Sequence, residues 1–117
     1  MNNVQELGRL TKDCELAKTK TGISVCEFTI AVDKYRKEDG AYFFRCIAYH
    51  QRAEYLSRYG KKGKRIIVQG HLDSDSYEKN GQTFYKTQIV ADNVQLIDYE
   101  AKTQEVVNEV ESEELPF

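Results

Sequence analysis

The stretch that most constrains the fold is residues 41–50, AYFFRCIAYH, a run of aromatic and β-branched side chains without glycine or proline. Such a composition is typical of a β-strand. Alternate side chains on a pleated strand project to opposite faces, so one face carries Phe43, Arg45, Ile47 and Tyr49, and the other carries Tyr42, Phe44, Cys46 and Ala48. Neither face is polar throughout, so each needs something to cover it.

The face with Phe43, Arg45 and Tyr49 has two interpretations. In one, the rings pack beneath a loop and Arg45 bridges to a carboxylate such as Asp73, because a guanidinium in a closed core needs a paired partner. In the other, the face is open, unpaired bases stack on the rings, and the cation meets the phosphates beside them. This strand alone favours the packed interpretation.

The remaining segments predict four more strands, one helix and one hairpin. Residues 2–10 alternate weakly, with Gly8 marking a bulge or a close backbone approach, and residues 13–16 could extend this strand. Residues 25–32 alternate clearly. The helical spacing of residues 50–59 ends at Gly60, a typical C-terminal cap position. Residues 66–77 and 83–97 form the last two strands, joined at Asn80-Gly81, which is a hairpin signal. In the fourth strand, we expect Ile66, Val68, Gly70 and Leu72 to point inward.

This order of elements predicts an all-β fold. Five strands, with one short helix between the third and fourth and a protruding hairpin between the fourth and fifth, are the order of an OB-type barrel. The chain of 117 residues has room for one such domain, at residues 1–97, and a disordered acidic C-terminal tail at residues 98–117.

Charge is distributed unevenly along the chain. Residues 1–97 hold 16 Lys and Arg against 12 Asp and Glu, whereas residues 98–117 hold one Lys against seven acids. A cationic body with an anionic tail suits a domain that binds a polyanion and an appendage kept out of that site. No apolar run is long enough to span a membrane, and three cysteines without a CxxC pair indicate reduced thiols and a cytoplasmic protein.

Aromatic side chains among cations are the main candidate site. Tyr35, Phe43, Tyr49 and Tyr77 fall on segments that the predicted barrel can bring to one open surface, although Tyr35 alone could be an incidental residue of a solvated loop. Two other basic segments are a turn at residues 18–22 and the run at residues 61–65, which could be a solvated helix end. His50 and His71 have no nucleophile or metal partner at usable spacing, so an enzyme, a metal site or a cofactor is not expected.

Several stretches together resemble the bacterial and phage single-stranded DNA-binding proteins. They are VQELGRLTKD at 4–13, FTIAV at 28–32, QRAEYL at 51–56, KG at 62–63, QGHL at 69–72, VADNVQ at 90–95 and the terminal EELPF at 113–117. The resemblance implies an OB-fold subunit, assembled as a homotetramer, that wraps single-stranded DNA without sequence choice in replication, recombination and repair, in the cytoplasm at the nucleoid.

The resemblance also assigns residues. It places the stacking rings at Tyr35, Phe43, Tyr49 and Tyr77, and the phosphate contacts at Arg36, Arg45 and Lys62. The acidic tip that recruits replication and repair proteins would be Glu113, Glu114, Leu115, Pro116 and Phe117. This chain departs from the family at Asp73-Ser74-Asp75, where cations are common, at Cys14, where a proline is common, and in its short linker.

Other classes of function stay open at this point. One is an OB-fold adaptor that binds structured RNA or acts in a replication-restart complex. Competition between oligo-dT and a duplex or folded RNA separates it from the first hypothesis, because stacking requires unpaired bases. Another is a purely structural oligomer, which would show no salt-dependent binding of nucleic acid.

Overall fold

The structure, a computed structural model, describes residues 1–97. Its elements are β1 (Val4–Leu10), β2 (Ala17–Lys18), β3 (Ser24–Asp33), β4 (Ala41–Tyr49), α1 (Gln51–Tyr59), β5 (Arg65–Lys79) and β6 (Gln82–Ile97), with a 3₁₀ turn at Lys37–Asp39. The predicted all-β fold is confirmed: α1 lies between the third and fourth of five long strands, and β2 is an additional two-residue strand. The predicted tail, including its tip at Glu113–Phe117, lies outside the described residues.

The strands close into a barrel. Their order is β1, β5, β6, β4, β3, β2, and the end of β1 also pairs with β3 through Arg9 opposite Ala31. Gly8 permits this closure, since a Cβ at Gly8 would lie 2.7 Å from the Ala31 carbonyl oxygen. The prediction of a close backbone approach at Gly8 is therefore confirmed.

The predicted extension of the first strand over residues 13–16 is wrong. This segment is a loop, because the backbone N–H of Cys14 donates to the Gly60 carbonyl oxygen, at 2.8 Å, and the Cys14 side chain is buried against the end of α1. Cys26 and Cys46 are also buried, and all three cysteines are free, as the sequence predicted.

The core fills the barrel, and α1 covers one end of it. Ala53 and Leu56 of α1 are fully buried, and Tyr55 anchors the helix to β6 by accepting the Leu96 N–H at 3.2 Å. Each fully buried aliphatic side chain stabilises the fold by roughly 1.5–3 kcal/mol. The largest are Ile30, Leu56, Ile66, Ile89 and Val68. The helix of the described residues is too short and too polar to cross a membrane.

The outer half of the β5–β6 hairpin extends beyond the barrel. β5 pairs with β1 only as far as Gly70, and from Leu72 to Lys79 it pairs with β6 alone. The prediction that Leu72 points into the core is wrong. Its side chain is 46% exposed, because the barrel has already ended at this position of β5. The predicted turn is present, with Asn80 and Gly81 at φ of 55° and 80°.

Candidate functional site

The outer face of β4, which carries Phe43, Arg45, Ile47 and Tyr49, is open to solvent over the first half of the strand. Phe43 is 66% exposed and Arg45 is also exposed, whereas Ile47 is buried and Tyr49 is half-buried. The interpretation that packs Phe43 beneath a loop is therefore wrong for this ring. An exposed ring beside an exposed guanidinium supports the open-surface interpretation.

Small side chains on β3 keep this face accessible. The residues directly opposite β4 are Ala31 beside Phe43, Thr29 beside Arg45, and Val25 beside Tyr49. Opposed residues of an antiparallel pair project to the same face, about 4.5–5.5 Å apart. Ala31 and Thr29 are too short to cover the neighbouring ring and guanidinium, so a flat ligand can approach Phe43 from solvent.

A cleft of about 500 Å³ lies between β4 and the extended hairpin. Arg45, Tyr77, Tyr85, Lys86 and Thr87 line it. Parallel pairing of β4 with β6, at Cys46 opposite Ile89, places the base of the hairpin beside β4. The structure thereby brings two of the sequence-predicted residues, Arg45 and Tyr77, into one cleft that has two rings and two cations.

The rings of the hairpin are supported by each other. Tyr77 is 52% exposed and stacks on Phe84, with ring centroids 5.5 Å apart and planes 25° apart. Tyr85 follows and is 76% exposed. Sequence reasoning missed Phe84, Tyr85 and Lys86. The signal was the Asn80-Gly81 turn, because a two-residue turn fixes Phe84 opposite Tyr77 and Lys86 opposite Asp75.

The structure does not bring every predicted residue to this cleft. Tyr35 is fully exposed on the β3–β4 loop, and Arg36 of the same loop pairs with Asp39 at 3.7 Å. Lys62 lies in the loop between α1 and β5, where its backbone N–H donates to Asp13 Oδ1 at 2.8 Å. Tyr49 lies at the far end of β4. None of these four side chains lines the cleft, and neither does that of Phe43.

Carboxylates border the same hairpin. Asp73 and Asp75 lie on β5, and Asp75 is directly opposite Lys86 of the cleft. Opposite charges in this position attract each other. An anion that enters the cleft is therefore attracted by Lys86 and repelled by Asp75.

A closed five-stranded barrel with a helix over one end and a long protruding hairpin is the architecture of an OB-fold protein. The family model described as "Single-strand binding protein family" matches residues 1–97, and the chain belongs to this family. It is 40% identical over 106 residues to the "Single-stranded DNA-binding protein" of Streptococcus pyogenes serotype M1, covering 86% of this chain and 65% of that relative. It is 38% identical over 131 residues to "Single-stranded DNA-binding protein 2" of Streptococcus agalactiae serotype III (strain NEM316), covering 99% and 98%. The chain thus spans slightly less than two thirds of the first relative's length.

Proposed function

We propose that this protein binds single-stranded DNA without sequence preference, through the outer face of β4 and the cleft beside it. The observation that carries the proposal is the cleft, where exposed Tyr77 and Tyr85 lie with Arg45 and Lys86. Every base has a flat face that can stack on a ring, and every nucleotide carries a phosphate, so this chemistry does not depend on sequence. No bond needs to be made or broken.

In this proposal the residues have separate roles. Phe43, Tyr77 and Tyr85 stack on bases, each stacked base contributing roughly 1–3 kcal/mol. Arg45 and Lys86 contact phosphates. Tyr35 and Tyr49 extend the stacking surface along the β3–β4 loop and β4, and Arg36 and Lys62 add phosphate contacts outside the cleft. Base pairing would bury the faces that stack, so duplex DNA should bind weakly.

The test is a titration with oligo-dT of several lengths at two salt concentrations, on material sized by light scattering. We expect tight binding that weakens with salt, quenching of the tyrosine emission, and displacement by other single strands but not by duplex DNA. Equal competition by folded RNA would instead favour an adaptor for structured RNA. Binding that is absent at low salt would overturn the proposal.

The same proposal covers the organisation of the chain. Residues 1–97 form the DNA-binding domain, residues 98–117 form an acidic tail, and the subunits assemble as a homotetramer that acts in replication, recombination and repair at the nucleoid. The family membership and the charge asymmetry of the two segments support this organisation. Light scattering that gives a monomer across the working concentrations would contradict the assembly.

The tip Glu113–Phe117 is proposed to recruit partner proteins. Phe117 offers an apolar ring and a carboxylate together, Pro116 restricts the backbone, and the glutamates steer the approach to a basic pocket. Removing the last five residues should abolish capture of replication and repair proteins and leave the affinity for DNA intact or raised. Retained capture would refute this role.

A further inference from the structure

A second cleft, of about 550 Å³, lies at the N-terminal end of α1. Lys18, Ser24, His50, Arg52 and Glu54 contribute side chains to its lining. It is built from three separate parts of the chain: the end of β2 with the turn that follows it, the start of β3, and the first turn of α1. Lys18, one of the two cations at residues 18–22, thus has a structural context that no role described above uses.

Positive charge predominates in this cleft. Lys18 and Arg52 carry two positive charges against the single negative charge of Glu54, and the first turn of a helix adds unpaired N–H groups. The Nε atom of Arg52 is buried and has no hydrogen-bond partner among residues 1–97. An unpaired buried donor on a cation costs free energy that an anionic acceptor would recover.

A hydrogen-bond chain that runs through the buried Ser24 fixes the floor of the cleft. Lys18 Nζ donates to Ser24 Oγ at 3.0 Å, and the Ser24 hydroxyl donates to Glu54 Oε2 at 3.1 Å. Ser24 is only 5% exposed, so the chain holds Lys18 over the cleft. The Glu54 carboxylate satisfies the serine but also opposes an incoming anion.

The cleft lies at the end of the strand that carries Tyr49. His50, which follows Tyr49 directly, lines the cleft and donates its backbone N–H to the Ser24 carbonyl oxygen at 2.9 Å. Tyr49 lies opposite Val25 on the outer face of the sheet, whereas Ser24 and Lys18 are paired on the other face. A single strand with a base on Tyr49 therefore has to pass over this end of β4 to bring its next phosphates to Lys18 and Arg52.

We infer that this second cleft binds a phosphodiester of the single strand whose base stacks on Tyr49, through Lys18, Arg52 and the His50 ring. The inference rests on the proposed function and extends it from one cleft to two. The ligand chemistry is an internal phosphate of a single strand, with no requirement for a particular base.

The test measures affinity for dT8, a length within the site size of one OB fold, as a function of salt. Each phosphate contact on a single strand contributes about 0.7 to the magnitude of the slope of log K against log salt. Lys18→Gln and Arg52→Gln should each reduce that magnitude by about 0.7, which corresponds to about fivefold weaker binding at 0.1 M salt and almost none at 1 M. The double variant should lose about 25-fold at 0.1 M.

Two further variants make the result specific. Lys20→Gln removes a cation from the same turn that does not line the cleft, and it should leave the slope within about 0.2 of the parent. Glu54→Gln keeps an acceptor for Ser24 and removes the opposing charge, so binding should become tighter. Thermal melts of each variant establish that the fold is retained.

The outcomes separate the inference from the proposed function. If the parent protein does not bind dT8 at any salt concentration, the proposed function fails. If the parent binds with a salt-dependent affinity and Lys18→Gln and Arg52→Gln keep the parental slope, or Lys20→Gln lowers it equally, the second cleft is not a phosphate site.

Discussion

Replacing Phe43 with alanine tests the stacking surface with little effect on the fold. The side chain is 66% exposed, so about one third of an area of roughly 200 Å² leaves water on folding. At about 25 cal/mol per Å², the variant should lose at most about 1.7 kcal/mol of unfolding free energy. A urea titration measures this loss, and the folded fraction at working temperature should stay near that of the parent.

Phe43→Ala should remove a larger fraction of the DNA-binding free energy than of the unfolding free energy. Removing one stacking ring costs roughly 1–3 kcal/mol, which is about 5- to 150-fold in the dissociation constant. Anisotropy of labelled oligo-dT and of a mixed-sequence strand measures the effect. The loss should be similar for both strands, since the ring does not read base identity, and the slope against salt should be unchanged because no cation has been removed.

Tyr42 provides the matched control. It is the preceding residue of β4 and 52% exposed, but its side chain projects to the opposite face, where it lies 6.1 Å from the Phe44 ring and beneath Lys34 Nζ at 5.3 Å. Tyr42→Ala should leave the affinity within about twofold of the parent. Unchanged affinity in Phe43→Ala, or an equal loss in Tyr42→Ala, would refute the assignment of the DNA surface to the Phe43 face.

Three further changes have defined outcomes. A Cβ at Gly70 would collide with the Val90 carbonyl oxygen, so Gly70→Ala should cost about 3 kcal/mol in a urea titration, and a neutral result would contradict the close packing at this bulge. Burial raises the pKa of the Cys46 thiol from 9.0 to about 12. The unfolded thiol ionises first, so stability should begin to fall above pH 9 by up to roughly 1.4 kcal/mol per pH unit, and Cys46→Ala should lack this component in thermal melts compared at pH 7 and 10. Asp75→Asn removes the negative charge opposite Lys86, so oligo-dT should bind more tightly with a steeper salt slope; weaker binding would contradict an unfavourable effect of Asp75 on DNA.

The sequence predicts the elements well because their signals are local. Alternation defines the long strands, the Ala53 and Leu56 spacing defines α1, and Asn80-Gly81 defines the hairpin turn. The failures at residues 13–16 and at Leu72 have a different origin. Both depend on where the barrel begins and ends, and no local pattern encodes the contact of Cys14 with the end of α1 or the last pairing of β5 with β1.

The candidate site was predictable only in part for the same reason. Rings and cations on β4 stand out in one stretch of sequence, so Phe43 and Arg45 could be found from alternation. Tyr85 and Lys86 join them through the parallel pairing of β4 with β6, a contact between residues more than 40 positions apart. Lys18 and Arg52 likewise share a cleft only because β3 folds back against α1.

The acidic residues on the hairpin indicate how stacking and charge are divided on this surface. Asp73 and Asp75 lie on the strand of the hairpin that also carries Tyr77, so the hairpin offers exposed rings without net positive charge. Arg45 is on the barrel strand β4, and Lys18 and Arg52 line the second cleft, so these cations belong to elements other than the strand that carries the carboxylates. We therefore expect the hairpin to bind bases mainly by stacking, and most of the salt-dependent free energy to arise at the barrel, where cations are held by strands and by a helix.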